Sequence, residues 1–131
     1  MRVKVCKRFN FCYGHYLPNY DGDCANQHGH NSILEVEYIA DIDKHTPATY
    51  PEMVMDFKDL KILVKNRIID YLDHENLNDL PEFDREISPP TAENICQIIW
   101  QRLESEEFGD FLNRVRIYET PDSYAEIERG Q

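Results

Sequence analysis

The sequence predicts an α+β fold in which two β hairpins flank a pair of helices. Two segments with alternating apolar residues open the chain, and two segments with apolar residues at helical spacing follow them. Two shorter alternating segments close the chain, which gives the order ββααββ. Because no repeat, linker or low-complexity tract interrupts this order, we expect residues 1–131 to form one domain.

The first hairpin is predicted from strict alternation of apolar and polar residues. This pattern covers residues 2–13 and residues 31–41, and it is typical of strands that bury one face. The connection over residues 16–30 is rich in Asn, Asp, Gly and Pro, so we expect a loop there.

The two helices are predicted over residues 57–72 and 92–104, where apolar residues recur every three or four positions. Asp56 and Thr91 precede these segments and are predicted to be their N-caps. Prolines between the two segments interrupt helix formation. The last two strands are predicted over residues 112–119 and 124–128.

Composition excludes several function classes. The formal net charge of -11 argues against a nucleic-acid surface, which needs a basic patch. No apolar run approaches the roughly 20 residues of a membrane span, and the first residues already alternate as a strand. We therefore expect no membrane association and a cytoplasmic protein. In that reducing compartment, three of the cysteines are predicted to be small core residues: Cys6, Cys12 and Cys96.

Three histidines are candidate metal ligands. His28 and His30 lie two residues apart, so they project to the same face if the second strand has begun there. His15 ends the first strand, and antiparallel pairing would place it beside the start of the second. Three neutral imidazoles with an open fourth position are typical of catalytic zinc, so zinc is the expected cofactor. The alternative is that all three are ordinary polar residues of the surface and loop.

Cys24 and the pair Asp73–His74 are candidates for acid/base chemistry. Cys24 lies in the polar loop four residues before His28, where it has three possible roles: a fourth zinc ligand, a base or an inert thiol. Asp73–His74 follows the first helix, and a histidine beside a carboxylate forms an acid/base unit. The alternative for this pair is a solvated helix end, where a histidine suits the helix dipole.

Glu119 ends an apolar strand, where a buried carboxylate needs hydrogen-bond donors. Two parallel N–H groups of a ring amidine would satisfy both of its oxygens, and an internal salt bridge is an equal alternative. Glu93 follows Thr91 in the first turn of the second helix, where a carboxylate suits the positive end of the helix dipole. His45, in a polar connection, is predicted to be exposed.

Six short motifs carry a resemblance to a known family. The two specific motifs are Cys24-x-x-x-His28-Gly29-His30-Asn31 and Leu72-Asp73-His74-x-x-Leu77-Asn78. The supporting motifs are Phe11-Cys12-Tyr13-Gly14-His15, Val54-Met55-Asp56-Phe57, Pro90-Thr91-Ala92-Glu93-Asn94 and Tyr118-Glu119-Thr120. In this order, over about residues 5–125, they resemble the 6-pyruvoyltetrahydropterin synthase family.

The resemblance implies a tunnelling fold, in which ββααββ subunits join their sheets into a barrel. The usual assembly is a homo-oligomer, a hexamer of two trimers with active sites at subunit interfaces. The resemblance also implies that the three histidines bind zinc and that Cys24 transfers protons. Asp73 and His74 would then reach the site from a neighbouring subunit.

The implied substrate is a pterin, 7,8-dihydroneopterin triphosphate. Glu119 would anchor its 2-amino and N3 hydrogens, helped by the backbone near Thr91 and Glu93. Tyr16 stands where relatives commonly carry Arg or Lys, so Arg8 or a cation from another subunit would have to meet the phosphates.

The three residues between Cys24 and His28 are similar to the branch called 6-carboxytetrahydropterin synthase, of the queuosine and 7-deazapurine pathway. This spacing favours a carbon–carbon lyase that releases acetaldehyde and triphosphate. Two alternatives remain open. One is the pyruvoyl-forming synthase of the same fold, and the other is a non-catalytic, zinc-stabilised assembly module with Cys24 as the fourth ligand.

Overall fold

A five-stranded sheet forms the centre of the protein in the computed structural model, which describes residues 1–84 and 87–130. The strands lie in the order β3-β1-β2-β4-β5, and all neighbours are antiparallel except β3 and β1. The elements are β1 (Arg2–His15), β2 (His28–Asp41), α1 (Phe57–Val64), α2 (Asp70–Leu72), β3 (Glu75–Asn76), α3 (Ala92–Glu104), β4 (Leu112–Thr120) and β5 (Ser123–Glu128). The predicted α+β fold is confirmed.

The β1–β2 hairpin is longer than the alternation predicted. β1 continues to His15 and β2 begins at His28, three residues before the predicted start. The pairing is antiparallel without a break, and it sets His15 opposite His28 and Tyr13 opposite His30. The sequence does not indicate this extension, because Gly29 and Asn31 have low strand propensity. They adopt the strand conformation through their hydrogen bonds to β1.

The first helix covers the predicted residues but is not uniform. α1 passes into one π-helical turn, Lys65–Ile69, before the chain resumes as α2. The predicted N-cap is confirmed, since the Asp56 carboxylate accepts a hydrogen bond of 2.7 Å from the Lys58 amide. The cap of α3 is confirmed as well: the Thr91 hydroxyl accepts from the Asn94 amide at 3.1 Å.

Strand β3 was not predicted. Its two residues pair in parallel with Tyr13 and Gly14 of β1 and so form one edge of the sheet. A pair of residues this short carries no periodic signal, and its conformation depends on hydrogen bonds to a strand 60 residues away. The consequence is that the residues just before β3 lie at the edge of β1.

The core lies between the helices and one face of the sheet. Its fully buried side chains include Leu34, Val36 and Ile117 from the sheet and Leu60 and Ile99 from the helices. None of the helices in the described residues is both long and apolar enough to cross a membrane.

Two of the three cysteine predictions are wrong. Cys96 is buried as expected, but Cys6 is exposed and Cys12 is half-buried. Both lie at even positions of β1, and the core-facing residues Phe11 and Tyr13 lie at odd positions. Side chains of a strand alternate between faces, so Cys6 and Cys12 occupy the face that carries no helices.

That opposite face is charged. Glu35 and Glu37 of β2 are each only 7% exposed, and Arg114 of β4 pairs with both. Arg8 of β1 also pairs with Glu35, with an Nη2–Oε2 distance of 2.6 Å. Burial raises the pKa of Glu35, but hydrogen bonds from Arg8 and Arg114 outweigh it and hold the pKa below its usual value.

Gly109, between α3 and β4, has no room for a side chain. A Cβ there would lie 2.6 Å from the carbonyl carbon of Glu104 and closer still to its oxygen, and neither backbone atom can move alone. We predict that Gly109→Ala lowers the free energy of unfolding by about 3 kcal/mol, the upper range for overpacking. Urea denaturation measures this change.

Gly29→Ala is the matched control, because its added methyl would make an ordinary contact of 3.5 Å with the Tyr13 carbonyl. This variant should change the free energy of unfolding by less than about 1 kcal/mol. Equal unfolding midpoints for the two variants would contradict the assignment of Gly109 as sterically obligatory.

Candidate metal centre

Three imidazoles meet at the open end of the β1–β2 hairpin. His15, His28 and His30 each offer a ligand atom, and these atoms all lie within 4.8 Å of one another. The ring centroids are 4.4 Å apart for His15 and His28 and 4.9 Å apart for the other two pairs. The sequence-based prediction that these three residues come together is therefore matched by the geometry.

The hairpin register explains the cluster. His15 lies directly opposite His28, and His30 follows two positions later on the same face. His15 is 2% exposed, and the side chain of His30 is 16% exposed. The cluster thus lies partly inside the protein, on the face of the sheet that also carries the core.

Backbone carbonyls orient the rings. His15 Nδ1 lies 2.7 Å from the carbonyl oxygen of Pro90, and His28 Nδ1 lies 2.7 Å from that of Asn26. In the neutral ring Nδ1 then carries the hydrogen, and this N–H group donates a hydrogen bond to the carbonyl. Nε2 is left with a lone pair that can bind a metal. This is the outer-shell support that metal-binding histidines usually have.

Burial lowers the pKa of His15 and of His30, outweighing the Glu119 carboxylate and the backbone carbonyls, which raise it. The neutral imidazole is the form that binds metals, and both rings keep that form at neutral pH. Because the pKa of both rings is lowered, protons compete with a metal for them only at a pH below the ordinary histidine pKa of about 6.5.

The cluster fits a metal ion. Nε2 of His15 and Nε2 of His30 are 3.0 Å apart. Zn–N bonds of 2.0–2.1 Å in a tetrahedron give an N···N distance of about 3.3 Å, which is close to the observed distance. Without a cation, one of these two nitrogens carries a hydrogen and donates it to the other. The three histidines therefore form a candidate metal site.

Glu119 lies beside the cluster at the end of β4. Its Oε1 atom is 3.4 Å from Nε2 of His15 and 3.5 Å from Nε2 of His30. Within the described residues these histidines are its only ion-pair partners, and each pair forms only when the ring is protonated. The alternatives of an internal salt bridge and of a ligand anchor therefore both stay predictions. The carboxylate is 30% exposed and can meet a ligand.

Tyr13 is a site residue that the sequence reasoning missed. It is 3% exposed, and its hydroxyl lies 3.5 Å from Oε1 of Glu119. Burial, with the nearby Glu119 carboxylate, raises the pKa of Tyr13, so the hydroxyl stays protonated. The alternation of β1 contained the signal, because Tyr13 lies two positions before His15 and shares its face.

Cys24 lies near the cluster in sequence but is not one of its members. It belongs to a short 3₁₀ turn, Asp23–Ala25, and it is half-buried. Its carbonyl accepts a hydrogen bond of 2.7 Å from the Leu17 amide, which fixes the loop. In the part of the chain that the structure describes, the thiol makes no hydrogen bond, so its predicted catalytic role remains a prediction.

Thr91 and Glu93 begin α3 next to the cluster. Pro90, whose carbonyl binds His15, directly precedes Thr91, so the start of α3 is tied to the metal ligands. The Thr91 hydroxyl is used as the helix cap, and Glu93 is exposed in the first turn. Their predicted contribution to ligand binding remains a prediction.

Asp73 and His74 lie at the edge of β1, where His74 lines the same cavity as His30. Asp73 Oδ1 accepts a hydrogen bond of 2.8 Å from the Cys12 amide, and His74 Nδ1 lies 3.1 Å from Asp73 Oδ2. The His74 amide in turn donates to the Cys12 carbonyl at 2.6 Å. The backbone of β1 thus clamps the pair, which presents a 79% exposed imidazole at the sheet edge.

The backbone of His74 is also unusual. Its φ of 63° lies in the left-handed region, which costs a non-glycine residue roughly 1–2 kcal/mol. The two hydrogen bonds to Cys12 hold this conformation. Such held strain is found at functional positions, which favours a role for the exposed ring over a solvated helix end.

Arg8 is not placed to serve this site. Its guanidinium binds Glu35 on the opposite face of the sheet from His15. The expectation that Arg8 compensates for Tyr16 within one subunit is therefore wrong, because even and odd positions of β1 face opposite sides.

The fold and the site together define a class of protein: an α+β protein whose antiparallel sheet carries a three-histidine metal site at the end of its first hairpin. The sequence matches the family described as 6-pyruvoyl tetrahydropterin synthase over residues 4–130. The chain belongs to this family.

Relatives from both branches of the family are similar to this chain. A 6-carboxy-5,6,7,8-tetrahydropterin synthase of Haemophilus influenzae is 34% identical, covering 95% of this chain and 98% of the relative. A 6-pyruvoyl tetrahydrobiopterin synthase of Homo sapiens is 38% identical, covering 99% and 93%. The solved 6-pyruvoyl tetrahydropterin synthase of Caenorhabditis elegans superposes with a TM-score of 0.78 at 26% identity, covering 98% and 96%.

We predict that His28→Ala abolishes stoichiometric metal binding while the fold is kept. The variant removes one of three ligands, so zinc affinity should fall by more than the roughly 100-fold that loss of an outer-shell partner costs. Competition with a chromogenic chelator measures the affinity, and circular dichroism checks the fold. His45→Ala is the control, because His45 is exposed as predicted and stands apart from the cluster. Unchanged zinc affinity in His28→Ala would refute the ligand assignment.

Proposed function

We propose that this protein converts 7,8-dihydroneopterin triphosphate and one water molecule into 6-carboxy-5,6,7,8-tetrahydropterin, with release of acetaldehyde and triphosphate. The reaction makes the protein a zinc-dependent carbon–carbon lyase that supplies the queuosine pathway. The observation that carries the proposal is the position of Glu119, whose carboxylate lies within 3.5 Å of two ligand nitrogens. A single small molecule can therefore meet a bound metal and a carboxylate at once.

The pterin ring fits the carboxylate. Its 2-amino group and N3 present two parallel N–H donors, and an ionised carboxylate accepts both in a fork. Glu119 would hold the ring in this way and direct the side chain at C6 toward His15, His28 and His30. Backbone groups near Thr91 and Glu93 would support the ring.

The three histidines would hold zinc through Nε2. When bound, zinc polarises the side-chain hydroxyls of the substrate and so acidifies the adjacent C–H groups. Cys24, whose thiol has no partner within the described residues, would take a proton from one face of the side chain. Asp73 would orient His74 through Nδ1, so that the outer nitrogen Nε2 moves protons on the other face.

The proposal requires a homo-oligomer. His74 is exposed at the edge of the sheet, and no hydrogen bond or ion pair joins it to the histidine cluster in the described residues. As the family resemblance implies, the pair Asp73–His74 of a neighbouring subunit would move protons at each metal site. A hexamer of two trimers with sites at subunit interfaces, as expected from the sequence, meets this requirement.

The carboxy branch is favoured by the three-residue gap between Cys24 and His28. The pyruvoyl-forming synthase is the second candidate, favoured by the 38% identity to the human relative that carries that name. The non-catalytic assembly module has less support. It needs Cys24 as a fourth ligand, and the convergent group contains only the three histidines among the described residues.

Product identification tests the proposal. Zinc-loaded protein is incubated with 7,8-dihydroneopterin triphosphate, and mass spectrometry reads the products. We expect 6-carboxytetrahydropterin together with acetaldehyde. A 6-pyruvoyl product without acetaldehyde would assign the protein to the second candidate, and absence of turnover by the metal-loaded protein would contradict both.

We predict that Cys24→Ala keeps zinc and fold but lowers turnover by about 100-fold or more, the contribution of a general base. Zinc content and thermal unfolding are measured beside the rate. Loss of zinc in this variant would instead support the assembly module. Cys6→Ala is the control, because Cys6 is exposed on the opposite face of the sheet.

Mixing experiments test the shared site. We predict that Cys24→Ala and His74→Ala are each inactive alone but regain activity when they are unfolded together and refolded. Some sites in the mixed oligomer would combine an intact Cys24 from one subunit with an intact His74 from another. No recovery, with mixed oligomers shown by native mass spectrometry, would place both residues of a site in the same subunit or remove one from the mechanism.

A further inference from the structure

Tyr13 occupies a position that links the metal centre to the carboxylate. In the register of the hairpin it lies directly opposite His30. Its ring packs edge-on against His15, with centroids 5.2 Å apart at 90°, and its centroid is 5.5 Å from that of His30. The side chain is 3% exposed, so its hydroxyl has a fixed direction, and that direction is toward Glu119.

Oxygen Oε1 of Glu119 has three neighbours at nearly equal distances. They are Nε2 of His15 at 3.4 Å, Nε2 of His30 at 3.5 Å and the hydroxyl of Tyr13 at 3.5 Å. The two nitrogen distances exceed the 2.7–3.2 Å of an N–H···O bond, and the oxygen distance exceeds the 2.5–3.0 Å of an O–H···O bond. The Tyr13 hydroxyl is an O–H donor, whereas an imidazole Nε2 whose hydrogen is on Nδ1 is only an acceptor.

The hydrogen-bond partner of His15 excludes that ring as the donor. The Nδ1 proton of His15 is donated to the Pro90 carbonyl, and Nε2 then offers only a lone pair, which a metal takes. His30 offers Nε2 to the same metal. Within the described residues the Tyr13 hydroxyl is then the remaining side-chain donor to Glu119. Without this hydroxyl, Oε1 of Glu119 would have no side-chain hydrogen-bond donor there.

We propose that Tyr13 is a positioning residue that donates its hydroxyl hydrogen to Oε1 of Glu119 and so holds the carboxylate for a ligand with two parallel N–H groups. This inference rests on the proposed pterin chemistry. A carboxylate has about four lone-pair sites, so one bond from Tyr13 leaves enough for both N–H groups.

The same contact would keep Glu119 from a metal held by the three histidines. Its Oε1 atom lies 3.4 and 3.5 Å from two of the ligand nitrogens, so the carboxylate would otherwise compete for the position that a substrate takes. A fourth protein ligand would close the position that a substrate hydroxyl needs. By holding Glu119, Tyr13 would keep the carboxylate available for the N–H groups of the ligand instead of for the metal.

A double-mutant cycle tests the inference. Zinc-loaded wild type, Tyr13→Phe, Glu119→Gln and the double variant are titrated with neopterin, and its fluorescence gives the dissociation constant. We expect Tyr13→Phe to weaken binding about 10-fold, as expected for a hydrogen bond to a charged group, and Glu119→Gln to weaken it more. In the Glu119→Gln background, Tyr13→Phe should change affinity by less than about 2-fold.

Tyr38→Phe is the matched control. Tyr38 is a fully buried tyrosine of the same sheet, and its hydroxyl has no hydrogen-bond partner in the described residues. It pairs with Val5 at the far end of the hairpin. Removing this hydroxyl should leave neopterin affinity unchanged, and zinc content should be equal in all five proteins.

A kinetic readout separates positioning from damage to the fold. Tyr13→Phe should raise KM for 7,8-dihydroneopterin triphosphate and leave kcat within about 2-fold, because the contact is made in the ground state and in the transition state alike.

Three results would overturn the inference. They are an unchanged affinity in Tyr13→Phe, an equal loss in both backgrounds, and a lower zinc content in Tyr13→Phe. If zinc-loaded wild type itself does not bind neopterin, the proposed function falls together with the inference.

Discussion

The register of the β1–β2 hairpin is the constraint on which the rest of the site depends. Uninterrupted antiparallel pairing sets His15 opposite His28 and Tyr13 opposite His30. Since side chains alternate between faces, all four rings emerge on one side of the sheet. A shift of the register by one residue would send two of them to the charged face, where Arg8 and Glu35 pair.

Backbone groups outside the two strands then complete the site. The Pro90 carbonyl, just before α3, and the Asn26 carbonyl, in the connecting loop, accept hydrogen bonds from Nδ1–H of His15 and His28, so that Nε2 of each ring can face a metal. β4 brings Glu119 alongside because it pairs with β2 from Ile33 to Tyr38. The packing of α3 and β4 against the hairpin is thus coupled to the chemistry that the histidines can perform.

The two candidate acid/base groups differ in where the fold places them. Cys24 belongs to the hairpin loop that also carries the Asn26 carbonyl. Asp73 and His74 belong to the opposite edge of β1, clamped by the backbone of Cys12. This division within one subunit is the physical reason for proposing a site shared between subunits.

The sequence by itself determined the two helices with their caps at Asp56 and Thr91, the alternating strands and the three candidate ligands. Periodicity and capping are local, so they can be read from neighbouring residues. The alternation of β1 also assigned Cys6, Cys12 and Arg8 to the face opposite Phe11. Only the tertiary structure decided the early start of β2 at His28 and the strand β3. It also decided the meeting of Tyr13 with Glu119, which lie 106 residues apart. These features depend on hydrogen bonds and packing between distant segments, and no local pattern encodes them.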